Sequence, residues 1–135
     1  MRTIARETIF KILFSRQFSD GDGTELKNAL YRAEKLDSED IAYADKVLSI
    51  IEQHKDEFAE IIDRHSYAFP EKRIYPADRS ILLIGLAELL YCDDIPAKVT
   101  YNEAANIASK YSSERSASYI SGILSSIGDK GEGNV

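Results

Sequence analysis

The segment from Pro76 to Tyr91 constrains the fold most, because it is apolar on nearly every side of a helix. Its apolar residues follow one another with few gaps: Ile81, Leu82, Leu83, Ile84, Leu86, Leu89 and Leu90. A helix that is apolar all round must be enclosed by other elements. Pro76 suits its first turn, where a missing N–H costs nothing. No apolar run approaches the ~20 residues of a membrane span. The segment is therefore predicted to be the central helix of a helical domain with no membrane association.

Six further segments have apolar residues at helical spacings of three and four. They cover residues 3–18, a stretch from Thr24, a stretch from Ser38, residues 55–66, residues 100–111 and a stretch from Ser112-Ser113. The sequence leaves open whether the third and fourth are one bent helix. No strand pattern or internal repeat stands out, so the chain is predicted to be all-α.

Polar residues mark the expected helix starts. Thr3 and Thr24 are predicted N-caps, and Thr100 with Glu103 has the spacing of a capping box.

Gly85 lies in the middle of the apolar helix, where glycine costs about 1 kcal/mol relative to alanine. A close crossing with another helix would explain its presence.

Length and composition favour one domain made of two parts. The 135 residues suit a single domain, assigned to residues 1–128 with a flexible C-terminal tail at 129–135. An apolar connector at residues 67–75 is expected to divide it into subdomains of about 1–70 and 71–128. Cys92 is the only cysteine, which excludes an intramolecular disulfide and favours a reduced compartment. With no apolar signal-peptide block at the N-terminus, we expect a cytoplasmic protein.

Charge is distributed unevenly along the chain. The net charge of −6 at first argues against a nucleic-acid partner. Residues 1–19 nevertheless carry +3, whereas residues 20–63 carry −8 and residues 64–135 carry −1. A local basic patch can bind phosphate even when the whole domain is acidic.

The sequence predicts no catalytic site, metal or cofactor. His54 and His65 are too isolated to suggest a metal site, and satisfied or solvated histidines explain them. Cys92 is followed by two carboxylates that would disfavour its thiolate, which indicates a buried structural thiol. There is no Gly-rich phosphate loop and no nucleophile elbow. Asp78 and Glu88 lie ten residues apart on one helix and make a poor acid–base pair.

Basic residues interleaved with aromatics are the remaining functional signal. Arg79 and Arg115 lie in first turns of helices, where the helix dipole disfavours a cation. Arg2, Arg6 and Lys11 add cations on the first helix, and the aromatics near these positions in sequence are Phe14, Tyr111 and Tyr119. Stacking rings beside cations suit single-stranded RNA. The alternative interpretation is a solvated charged face over core aromatics.

A specific pattern of residues makes the chain resemble the NusB family of bacterial transcription antitermination factors. Its C-terminal part is Asp78-Arg79, Leu82, Leu86, Glu88-Leu89, Ile95-Pro96, Lys98-Val99, Asn102-Glu103-Ala104, Ala108, Lys110-Tyr111, Ser116, Tyr119, Gly122 and Leu124. Ala5-Arg6-Glu7, Leu13-Phe14 and Gln17 resemble the family's first helix. The likeness covers nearly the whole chain and is weakest over residues 20–70.

The resemblance implies a fold of about seven helices in two packed subdomains, and a non-enzyme that binds the boxA element of ribosomal RNA transcripts. It implies a heterodimer with the ribosomal protein NusE, within a larger complex containing NusA, NusG and RNA polymerase. A homodimer is left open, since some relatives form homodimers that hide the RNA surface. The RNA-binding residues it implies are Arg2, Arg6, Phe14, Gln17, Asp78, Arg79, Tyr111, Arg115, Tyr119 and Gly122.

This sequence departs from the family pattern in two places. Thr3 and Ile4 interrupt the arginine run that often precedes the first helix, which removes roughly two phosphate contacts. Each lost contact lowers the slope of log affinity against log salt by about 0.7. Arg115 stands where some relatives have an acidic residue, so it offsets part of that loss.

Two alternative functions remain open at this point. One is a protein-interaction module of the same fold that does not bind RNA. The other is a detached domain of an rRNA 5-methylcytosine methyltransferase, since those enzymes carry a similar N-terminal region; the length of the chain argues against it, because no cofactor-binding α/β domain follows.

Overall fold

Seven helices and their connections make up the computed structural model, which describes residues 2–19, 23–66 and 74–129. The helices are α1 (Thr3–Arg16), α2 (Thr24–Ala33), α3 (Ser38–Gln53), α4 (Lys55–His65), α5 (Pro76–Tyr91), α6 (Ala97–Tyr111) and α7 (Glu114–Asp129). No strand occurs within these ranges. The all-α prediction is confirmed.

Helix α5 is the centre of the molecule. It packs against α1, α3, α4, α6 and α7, and every residue from Ser80 to Glu88 is buried. Because these neighbours enclose it on all sides, the apolar character seen in the sequence has the expected cause. Its bounds, Pro76 to Tyr91, are those predicted.

Gly85 marks the crossing of α5 and α7. A Cβ at this position would lie 2.6 Å and 2.7 Å from the two Cδ atoms of Leu124, and Leu124 is fully buried. A side chain at this position would therefore force Leu124 to move within the packed core. The close crossing proposed from the sequence is present.

Three predicted helix starts are wrong. Helix α1 has Arg2 at its N-cap position, and Thr3 donates its hydroxyl hydrogen to Glu103 instead. Helix α2 has Gly23 at the N-cap with φ of 75°, so Thr24 is the first helical residue. Helix α6 begins at Ala97 after Pro96. The predicted capping box of Thr100 and Glu103 therefore lies inside a helix, where tertiary hydrogen bonds replace capping.

Other boundaries are resolved by the structure. Helices α3 and α4 are separate, and His54 alone stands between them. Helix α7 continues through Gly128 to Asp129, one residue into the segment predicted as a tail; residues 130–135 lie outside the described ranges. The subdomain boundary near residue 70 falls among residues 67–73, which also lie outside them, so the division stays a prediction. Among the described residues no helix is both long and apolar enough to cross a membrane.

Candidate nucleic-acid interface

The end of α1 is tied to the start of α5. Gln17 donates its side-chain amide to the carbonyl oxygen of Pro76 (2.9 Å) and to the hydroxyl of Ser80 (2.7 Å). Ser80 in turn donates to the same carbonyl at 2.9 Å. These bonds place the exposed Gln17 beside the N-terminus of α5, where the helix dipole provides partial positive charge.

The start of α5 is tied in turn to the start of α7. Asp78 accepts a hydrogen bond from the hydroxyl of Ser116 at 2.9 Å, and only 3% of Asp78 is exposed. Ser113, one of the two serines from which this helix was predicted to start, caps α7, because its hydroxyl accepts the backbone N–H of Ser116 at 3.0 Å. The N-termini of α5 and α7 therefore meet, and Arg79 and Arg115 both lie in these two first turns. Arg115 is exposed and Arg79 is half-buried.

A row of aromatic rings continues this surface along α1. Phe14 stacks on Phe10 with ring centroids 5.9 Å apart, and Phe10 contacts Tyr111 of α6 at 4.9 Å. Phe18 meets Phe14 edge-on at 5.1 Å. Phe14 is 37% exposed and Phe18 67%, so part of the row faces solvent. Exposed rings of this kind can stack with nucleic-acid bases.

Tyr111 is held in place by an acidic partner. Its hydroxyl donates to Glu7 at 2.7 Å, and Lys110 donates to the same oxygen at 2.8 Å. Partial burial and the hydrogen bond to Glu7 raise the pKa of Tyr111 above its usual value. The phenol is therefore neutral at physiological pH and joins the end of α6 to α1.

Three residues form a stripe along α7. Arg115, Tyr119 and Gly122 are spaced by four and three residues and so share one helix face. Gly122 is exposed, with nothing within 4 Å of where a Cβ would stand. Tyr119 is half-buried and its hydroxyl is hydrogen-bonded to that of Ser66. The stripe begins where α7 meets α5.

We use the term RNA face for the candidate surface to which the family resemblance assigns RNA, formed by the end of α1, the start of α5, the α6–α7 junction and the α7 stripe. Of the ten residues implied by the family resemblance, seven lie on this surface, namely Phe14, Gln17, Arg79, Tyr111, Arg115, Tyr119 and Gly122. An eighth, Asp78, is buried beneath it and joins α5 to α7.

The two N-terminal arginines are not on this face. Arg2 and Gln17 are fifteen residues apart, which is about 22 Å along a helix. The guanidinium of Arg2 lies over the ring of Tyr43, 5.1 Å from its centroid. Arg6 is 4% exposed, so the structure does not present it to solvent as a phosphate ligand.

Arg6 lies instead in a buried group of polar side chains that sequence reasoning missed. Its Nε and Nη2 donate to the two oxygens of Glu88 (2.6 and 3.3 Å), and its Nη1 donates to Glu103 at 3.0 Å. Glu88 also accepts hydrogen bonds from Tyr43 and from Thr100. We call these five residues the Arg6 cluster.

Burial and charge act in opposite directions on the pKa values of this cluster. Desolvation lowers the pKa of Arg6, but the hydrogen bond to Glu88 and the charges of Glu88 and Glu103 outweigh it, so that the pKa is raised. Burial, followed by the charge of Glu88, raises the pKa of Tyr43 far above its usual range. Arg6 is therefore charged and Tyr43 neutral, and the buried charges are compensated by hydrogen bonds.

One signal in the sequence could have revealed the cluster. Glu88 is the one charged residue within the apolar run from Ile81 to Leu90. A carboxylate buried among apolar residues is costly unless a cation or hydrogen bonds compensate it. Arg6 is a basic residue on a segment predicted to pack against that helix, and so it was a candidate partner.

The side chains with potential for other chemistry have ordinary structural partners. His54 stacks on Tyr91 with centroids 4.2 Å apart. Cys92 is buried, and burial is the main cause of its raised pKa. No group of three metal-binding side chains occurs in the part of the chain that the structure describes.

Together, the helices form an all-α protein with a polar, aromatic and cationic surface where three helix ends meet. A family model described as the NusB family matches residues 3–129. The chain therefore belongs to the NusB family, and this membership confirms that it is not an enzyme.

Relatives and solved structures agree with this assignment. The transcription antitermination protein NusB of Natranaerobius thermophilus is 33% identical over 132 residues, which cover 96% of this chain and 95% of the relative. The protein of the same name from Methylacidiphilum infernorum is 35% identical, over 90% of this chain and 86% of the relative. The structure of T. maritima NusB superposes with a TM-score of 0.88 at 29% identity, over 96% and 92% of the two chains.

A further solved structure shows the same fold at lower identity. It is a crystal structure of the antitermination factors NusB and NusE in complex with dsRNA. The matching chain has a TM-score of 0.86 at 23% identity, with 96% of each chain covered. At this identity the likeness supports the fold alone.

Proposed function

We propose that this protein is a transcription antitermination factor that binds the boxA element of ribosomal RNA transcripts together with NusE. The observation that carries the proposal is the meeting of three helix ends at the RNA face, in a chain of the NusB family. Gln17 and Asp78 join these ends, and Phe14 and Tyr111 contribute rings beside them. The matched relatives are named transcription antitermination proteins.

Two features of the RNA face suit a single strand of RNA. The N-termini of α5 and α7 both provide the partial positive charge of the helix dipole, which favours phosphate. Arg79 and Arg115 add full positive charges in the same two turns. The exposed part of Phe14 provides a stacking surface next to them, so that backbone and base are bound by neighbouring groups.

The rest of the assembly belongs to the same proposal. A protein named NusE occurs with NusB and RNA in a related structure, and we propose the same heterodimer here, in the cytoplasm and within a complex that includes NusA, NusG and RNA polymerase. A homodimer that covers the RNA face would be a resting form of the protein.

A gel-shift titration with boxA RNA, with and without NusE, tests the proposal. We expect the double variant Arg79→Gln/Arg115→Gln to weaken binding and to reduce the slope of log affinity against log salt by about 0.7 per lost contact. The control variant Lys55→Gln removes an exposed cation on α4 and should leave the slope unchanged. Equal affinity and slope in the double variant and the wild type would show that the RNA face is wrongly placed.

One observation favours a second function, that of a protein-interaction module without RNA binding. The N-terminal helix has only a few cations. Of these, Arg6 is bonded to Glu88 within the Arg6 cluster, and Arg2 lies over the ring of Tyr43 in the same cluster. Such a protein would bind NusE but would show no preference for boxA RNA, even at low salt. No described feature favours the alternative of a detached methyltransferase domain.

A further inference from the structure

The Arg6 cluster joins four helices at one buried point. Arg6 comes from α1, Tyr43 from α3, Glu88 from α5, and Thr100 with Glu103 from α6. Glu88 is 1% exposed and accepts hydrogen bonds from three of these side chains. A group that is bonded from three directions at the centre of the fold fixes the relative placement of the helices that supply it.

All three guanidinium nitrogens of Arg6 are used inside this cluster. Nε and Nη2 donate to Glu88 and Nη1 donates to Glu103, and the side chain is 5% exposed. An RNA phosphate could reach Arg6 only if these bonds were broken and two carboxylates were left buried without their cation, which is strongly unfavourable. The geometry therefore excludes Arg6 as a phosphate ligand in this conformation of α1.

The cluster nevertheless influences the RNA face through α1. Arg6 and Phe14 are eight residues apart on the same helix, or about 12 Å. Thr3, at the start of α1, adds a bond to Glu103 at 2.7 Å. The N-terminal half of α1 is thereby fixed against α5 and α6, while its C-terminal end carries Phe14 and Gln17 to the RNA face. A small tilt of α1 about the cluster would displace both residues.

We propose that Arg6, Glu88 and Glu103 are positioning residues for RNA binding, which set the orientation of α1 and do not touch the RNA. The test of this proposal measures RNA binding, and so the proposal rests on the proposed function. It differs from the family resemblance, which implies that Arg6 contacts RNA directly, and it assigns a role to Glu88 and Glu103.

The variant Glu88→Gln separates the two roles of Arg6, because they predict effects of opposite sign. If Arg6 contacts phosphate, removal of the competing carboxylate frees the cation and strengthens RNA binding. If Arg6 positions α1, the same change loosens the cluster and weakens RNA binding by about tenfold, within the range for residues that do not touch the ligand. The matched control is Glu60→Gln, which removes the same charge from an exposed position on α4.

The measurement is the affinity of the full chain for boxA RNA, with NusE present, over a salt series. We expect Glu88→Gln to bind boxA RNA about tenfold more weakly than Glu60→Gln, with the same salt slope. Arg6→Lys provides a second variant in case Glu88→Gln does not fold, as judged by circular dichroism. Lysine keeps the charge but cannot bond both carboxylates in the geometry of arginine, so it too should weaken binding with an unchanged slope.

Two results would overturn the positioning role: binding by Glu88→Gln that equals or exceeds that of Glu60→Gln, or affinity of Arg6→Lys equal to that of the wild type. If the wild type binds no boxA RNA, the proposed function fails, and amide hydrogen exchange then decides the positioning role alone. We expect faster exchange between Ile9 and Phe14 in Glu88→Gln than in Glu60→Gln. Equal exchange in the two variants would show that the cluster does not hold α1.

Discussion

Gly85 and Gly122 are both glycines inside helices, but their surroundings differ. Gly85 faces Leu124 at the crossing of α5 and α7, and a Cβ there would lie 2.6 Å from a leucine methyl group. At Gly122 the same position is open. Helix propensity alone would make alanine favourable at both sites.

We predict that Gly85→Ala destabilises the protein by about 1–3 kcal/mol, because an extra methyl group overpacks the crossing. Gly122→Ala, the matched control, should be neutral or stabilise it by up to about 1 kcal/mol. The free energy of unfolding in urea measures both. A stabilised Gly85→Ala variant would mean that α5 and α7 do not cross as closely as the structure shows.

Glu7 gives a prediction for pH dependence. Burial acts to raise the pKa of Glu7, but the hydrogen bonds from Lys110 and Tyr111 outweigh it and hold the pKa below its ordinary value of 4.5. A carboxylate with a lowered folded-state pKa stabilises the protein above the unfolded value, and this contribution is lost as pH falls through the folded value. The pH window therefore lies below 4.5.

We expect wild-type protein to lose more stability than Glu7→Gln when the pH is lowered from 6 through this window. Unfolding midpoints in urea at a series of pH values measure the difference. Glu60→Gln, from an exposed position, serves as the control for general charge effects. Parallel curves for wild type and Glu7→Gln would contradict the lowered pKa.

Single residues were the least predictable part of this protein from sequence. The spacing of Thr100 and Glu103 is that of a capping box, but the helix already begins at Ala97. The spacing cannot show that a buried glutamate and a buried arginine are available as partners, because Thr100 bonds Glu88, 12 residues away, and Glu103 bonds Arg6, 97 residues away. Tertiary hydrogen bonds replaced the local ones.

At the scale of single helices, the start of α3 offers a direct test of capping. Asp37 accepts the backbone N–H of Asp40 at 2.8 Å, and so it is the N-cap of α3. Ser38, where the sequence predicts the helix to begin, is its first helical residue. We predict that Asp37→Ala costs about 0.5–2 kcal/mol of stability.

Ser38→Ala should change the unfolding free energy much less than Asp37→Ala does, because its side chain has no capping role in the structure. Thermal unfolding of the two variants side by side provides the comparison. Equal losses, or a larger loss for Ser38→Ala, would place the cap one residue later.

The existence of the helices followed well from periodicity, whereas their ends did not. Helix α5 was predicted with both ends correct, because Pro76 and the break at Asp93-Asp94 are strong local signals. The start of α6 was missed by several residues, since Pro96 at the N-cap provides no side-chain hydrogen bond to recognise. Helix ends depend on local capping chemistry that several residues can provide.

At the scale of the whole molecule, the chain brings distant segments to one surface. The end of α1, the start of α5 and the α6–α7 junction are far apart in sequence, but hydrogen bonds of Gln17 and Asp78 join them. Periodicity could not show this meeting, and the RNA-binding residues came from the family resemblance. The structure places Arg2 and Arg6 away from the other eight residues that the resemblance implies. Arg6 lies in the buried Arg6 cluster, and Arg2 lies over the Tyr43 ring of that cluster.

The measurement that tests the location of the RNA face most directly is an NMR chemical-shift map of the full chain with NusE, before and after addition of boxA RNA. We predict that the largest RNA-induced changes fall on backbone amides at the end of α1, the first turn of α5 and the α6–α7 junction. Those of α2 and of the acidic start of α3 should change little. Changes that concentrate on α2 and α3, or no changes upon RNA addition, would contradict the proposed function and the location of its site.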